Sequence, residues 1–128
     1  MNTKNLRAIA KLCREIPQSK FGMAKYRQYD DQASAECGSV GCVLGHATRL
    51  ETGKLPRDLG GIRFTPWSEV FTGLDRWSRE WGWCFASSWD RVDNTPTGAA
   101  ARIEWMLAGN PIPEIDLMFT AEAVAMYS

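Results

Sequence analysis

The placement of proline and glycine constrains this chain more than any other feature, because it limits how long a regular element can run. Pro17 pushes Ile16 out of helical geometry, Pro66 and Pro96 each follow a threonine suited to capping a helix, and Gly109-Asn110-Pro111 closes the segment before it. Every helix that this punctuation allows is short. The pattern predicts helices from Asn2 or Thr3 to Ile16, from Val40 to Glu51, from Pro66 to Thr72, from Asp75 to Phe85, from Pro96 to the Gly109 stop, and a last turn from Thr120 to Tyr127. Residues 17–36 read as a loop with one helical turn around Phe21 to Tyr26. The expected fold is therefore mainly α, a compact bundle of about five short helices. A small two-stranded extended element has room near residues 55–65, where Pro56, Gly60 and Gly61 interrupt the chain.

Periodicity assigns the inward faces. At about 100° per residue, Leu6, Ile9, Cys13 and Ile16 share one side of the first helix, while Lys4, Arg7, Lys11 and Arg14 share the other. Ala99, Ala100, Ile103, Met106 and Leu107 form the apolar stripe of the Pro96 helix. Trp77, Trp81 and Cys84 or Phe85 recur at helical spacing despite Gly82. The chain carries six tryptophans, and side chains this large belong mainly in a core, with some left for a surface platform.

At 128 residues, 45% of them hydrophobic and 23% charged, the chain has the size and composition of one globular domain spanning residues 1–128. Four basic residues break up the apolar content of the first fourteen positions, so the N-terminus reads as neither a signal peptide nor a membrane anchor. Four cysteines are too few for a disulfide scaffold in a chain this long. Reduced thiols and a cytoplasmic location are the expectation.

Cys37, Cys42 and His46, the single histidine, form a Cys-x4-Cys-x3-His cluster. With Cys42 and His46 four apart on one helix, a zinc tetrahedron completed by Cys13 or Cys84 is one reading. A Cys42 nucleophile activated at a helix start, with His46 as base, is a second, but a base on the same helix is poorly directed at the thiol. Small buried thiols are the third and plainest. The chain has no Walker-type loop, no dinucleotide fingerprint and no His-Glu-x-x-His, and neither Asp30-Asp31 nor Asp90 and Asp93 has calcium-loop spacing. No catalytic residue emerges, and the expectation is a protein without enzymatic activity and without a cofactor, zinc being the alternative.

Charge is the remaining signal. Residues 1–28 hold seven basic side chains against one acid, a net +6, and the other hundred residues hold eight against fourteen, a net −6. The neutral total hides a polarised chain. Lys4, Arg7, Lys11 and Arg14 suit a phosphate-lined or acidic partner surface, and Glu114, Asp116 and Glu122 offer an acidic face to a basic one. A solvated outer helix face accounts for the same basic stripe with no partner at all.

Cys37-Gly38-Ser39-Val40-Gly41-Cys42-Val43-Leu44-Gly45-His46-Ala47, followed by Thr95-Pro96-Thr97-Gly98-Ala99-Ala100-Ala101-Arg102-Ile103, resembles a group of small phage and prophage proteins with Cys-Gly-Thr-x-x-Cys-x-x-Gly and then Thr-Pro-x-x-Ala-Ala. Ser39 stands where that group usually has threonine, and either hydroxyl can cap a helix. The likeness covers residues 20 to 107. It implies a phage accessory protein that works inside a bacterial host by binding and inhibiting a host protein or nucleoprotein complex, including CRISPR and other defence effectors. It carries over no catalytic residue. The alternatives are a zinc- or thiol-dependent protein centred on Cys37, Cys42 and His46, and a structural virion component.

Overall fold

The structure, a computed structural model, describes residues 1–21, 43, 46–47, 50 and 64–128. Among them lie five complete α-helices: α1 (Thr3–Glu15), α2 (Phe64–Thr72), α3 (Arg79–Phe85), α4 (Pro96–Leu107) and α5 (Ala121–Tyr127). Turns of 3-10 helix follow α1 at Gln18–Lys20 and α3 at Ser87–Arg91. The described residues contain no strand, so the mainly helical expectation holds. Val43, His46, Ala47 and Leu50 are helical as well, inside the span expected for a second helix, whose other residues lie outside the described set. The extended element expected near 55–65 lies outside it up to residue 63, and Phe64 and Thr65 already belong to α2.

α1 follows its sequence pattern. Asn2 Oδ1 accepts the Asn5 N–H at 3.0 Å and caps the helix, and Leu6, Ile9, Ala10 and Cys13 are buried along one side. The same N-terminus closes a second helix end, since Asn2 N–H donates to the Thr72 carbonyl at 2.6 Å and Asn5 Nδ2 to the Phe71 carbonyl at 2.7 Å. Carbonyls that α2 leaves without an intrahelical partner are thus satisfied by α1. Gly73, at φ +72, turns the chain away there, and a Cβ on it would meet Met1 Cα at 3.2 Å.

α3 departs from expectation. The Trp77–Trp81–Phe85 spacing predicts a helix running through Trp77, but Ser78 caps a helix that starts at Arg79, its Oγ accepting the Trp81 N–H at 3.2 Å. Asp75 accounts for the difference: its carboxylate accepts the Trp77 N–H at 2.7 Å and its carbonyl accepts the Ser78 hydroxyl at 2.6 Å, which fixes a turn ahead of the helix. Trp77 is left 88% exposed, while Trp83, absent from the expected stripe, is fully buried with Cys84 and Phe85 beside it.

α4 is the central element, packed against α1, α3 and α5. Thr95 caps it by accepting the Gly98 N–H at 3.0 Å, Pro96 occupies its first turn, and Gly109 at φ +88 ends it. Ala99, Ala100, Ile103 and Met106 are buried as their spacing implies, whereas Leu107 is only partly covered. Thr120 caps α5 by accepting the Ala123 N–H at 3.2 Å. Phe119, just before it, sits at φ 65, a region unfavourable for an aromatic residue, and packs edge-on against Trp89 at 5.0 Å.

Candidate functional site: a cationic groove between α1 and α4

The stripe Lys4, Arg7, Lys11, Arg14 is exposed along the outer side of α1. Arg7, Lys11 and Arg14 line a groove of about 540 Å³ whose far wall is the last turn of α4, and Lys4 lies beyond it. Ala10, Leu107 and Ala108 give the groove an apolar lining, and Glu15 and Glu104 place two acids among the cations. Arg14 reaches across to Glu104, Nη2 to Oε1 at 2.5 Å and Nε to Oε2 at 3.4 Å. This bond, more than the Coulombic attraction, raises the Arg14 pKa further above its ordinary value. Both side chains are about half exposed, so water screens the pair and it adds little to stability. Among the described residues neither Arg7 nor Lys11 forms an ion pair. The groove therefore presents two uncommitted cations beside an apolar strip.

The acidic residues lie on the segment after α4. Glu114 and Asp116 are exposed in the segment of turns before α5, and Glu122 is exposed in the first turn of α5. Glu114 pairs with Arg79 at 3.0 Å with 78% of its side chain in water.

Of the thiol and histidine cluster, His46 is among the described residues. Cys37 and Cys42 lie outside the described residues. His46 is buried with its ring parallel to Phe21 at 6.5 Å, and Val43 and Ala47 beside it are core residues. Cys13 and Cys84 are buried in the core. Burial pushes the Cys84 thiol well up, against a smaller lowering by Arg102. Among the described residues no three histidine, cysteine or acidic side chains are placed to share a metal ion.

One polar centre has no counterpart among the expected sites. Arg102 is fully buried, with Nη1 bonded to Tyr127 Oη at 2.8 Å and to Asp93 Oδ2 at 3.3 Å. Tyr127 donates a short bond to the same carboxylate oxygen, and the Thr95 hydroxyl donates to Asp93 Oδ1 at 2.5 Å. The guanidinium carbon sits 4.3 Å over the Trp89 ring and 5.4 Å from that of Tyr127. Trp83 stands edge-on to both rings and donates from Nε1 to the Arg102 carbonyl at 2.8 Å. Asp93, which its spacing set aside as a calcium ligand, is the counter-ion of this cage, while Asp90 is exposed. The signal was present in the spacing, because Arg102 falls on the same side of α4 as Ala99, Ile103 and Met106 and had to be buried. Compared with known proteins, the chain matches no family model, no curated protein and no solved structure.

Proposed function

We propose that the protein works by binding, as a phage accessory protein that docks the outer side of α1 onto a host protein or nucleoprotein complex and inhibits it, in an anti-CRISPR or other anti-defence role. The observation that carries the binding part is the pair Arg7 and Lys11, exposed on one side of a rigidly packed helix and unclaimed by any ion pair among the described residues. Surface cations held on a fixed scaffold, and not spent internally, favour fast, oriented docking on an anionic surface. The phage setting rests on the resemblance of residues 37–47 and 95–103.

Immobilised protein exposed to extract of the natural host tests this. A defence nucleoprotein complex should be retained, and its activity should fall when free protein is added. The double reversal Arg7→Glu/Lys11→Glu should lose both effects, while Glu114→Lys/Asp116→Lys keeps them. If the contacted groups are phosphates, losing two contacts should flatten the log affinity against log salt slope by about 1.4 to 1.8. A reversed α1 that still binds and inhibits like the parent sinks the reading, and stoichiometric zinc in freshly purified protein would favour the thiol-centred alternative.

A further inference from the structure

The segment joining α4 to α5 carries Glu114-Ile115-Asp116-Leu117, in which two acids alternate with two aliphatic side chains that face water. Ile115 is 65% exposed and Leu117 39%. The segment is held in place and not merely loose: Leu117 and Met118 N–H both donate to the Glu114 carbonyl, at 3.0 and 3.1 Å, and Met118 is buried in the core. The fold thus presents, on a fixed turn, apolar surface whose contact with water is unfavourable, flanked by the negative charge of Asp116 and by Glu114 in its exposed pair with Arg79.

The α1–α4 groove has the complementary composition. Arg7 and Lys11 supply uncommitted positive charge, and Ala10, Leu107 and Ala108 supply apolar surface. Glu104 is neutralised by Arg14, which among the described residues leaves Glu15 as the one groove acid opposing Arg7 and Lys11. We infer that, with no host partner bound, the groove takes a second copy of this chain: the 114–117 turn of one protomer seats in the α1–α4 groove of the next. Asp116 then faces Arg7 and Lys11, and Ile115 and Leu117 cover Leu107. A nucleic acid fits less well, since a phosphate backbone would meet Glu15 and leave Leu107 unmatched. Groove and turn are different surfaces, so the contact is head to tail and can propagate to further copies. It does not depend on the host-binding role.

Sedimentation velocity of the full chain over a range of concentrations reads the association directly. The parent should associate at about 0.05 M salt and come apart at about 1 M, where charges are screened beyond about 3 Å. Arg7→Glu/Lys11→Glu and Glu114→Lys/Asp116→Lys should each be monomeric alone, with affinity down by about a hundredfold or more. An equimolar mixture of the two should associate again, because the intact groove of the turn variant meets the intact turn of the groove variant, and the reversed groove meets the reversed turn; that rescue involves no host component. Ile115→Ser/Leu117→Ser, at exposed positions where folding is unaffected, should weaken association by about tenfold. A parent that stays monomeric at low salt, variants that associate unchanged, a mixture that stays monomeric, or a groove that binds a short DNA duplex without self-association would each overturn the inference.

Discussion

Arg102 carries a charge with none of its surface in water, and among the described residues Nε and Nη2 have no hydrogen-bond partner. One nitrogen bonded to Asp93 and Tyr127, and two ring faces, balance its desolvation. Removing it leaves the Asp93 carboxylate facing a cavity. Arg102→Ala should therefore lower unfolding free energy by about 3–5 kcal/mol in urea titration, and a variant within about 1 kcal/mol of the parent would show the cage to be unimportant. The burial of Arg102 was legible in its spacing with Ile103 and Met106. Its partners were not, because Tyr127 lies twenty-five positions away and meets it only once α5 packs on α4.

Helix ends show where local chemistry suffices and where it does not. Asn2, Thr95 and Thr120 are caps that the residues themselves announce, and each makes its bond. Ser78 was hidden, because the Trp77–Trp81–Phe85 period runs straight through it and only the Asp75 turn breaks the helix. The last-turn pairing of Arg14 with Glu104 was equally hidden, since nothing local to α1 announces that α4 lies beside it. Both cap hydroxyls also donate, Thr120 to the exposed Leu117 carbonyl at 2.6 Å and Thr95 to Asp93, which it holds toward the buried Arg102. Thr95→Ala should cost about 2 kcal/mol or more and Thr120→Ala about 1 kcal/mol, with Thr95→Ser recovering most of the loss. Equal losses in thermal melts would mean that the Asp93 bond contributes no more than the exposed bond from Thr120 to Leu117.

For the molecule as a whole, the buried Cys84 and the half-buried Tyr127 are, among the described residues, acids whose raised pKa values shape its answer to alkali. Burial raises Cys84 above its ordinary 9.0, and it raises Tyr127 above its ordinary 10.0, with Arg102 opposing and Asp93 reinforcing the latter. Both groups keep their protons in either state below pH 9, so stability is indifferent to them there. Above 9.0 and then 10.0 the unfolded chain releases protons that the folded chain retains, and stability should fall. Melting temperature followed from pH 7 to 11 checks this, and Tyr127→Phe should remove the part of the decline that sets in above pH 10.0. A flat profile through that range would contradict the buried placement of both groups. The exposure of Trp77 has a practical consequence. With Trp83 and Trp89 sealed and the other three indoles partly covered, a water-soluble quencher such as iodide selects Trp77, so its red-edge emission is a native optical label for anything that comes to rest on the turn between α2 and α3.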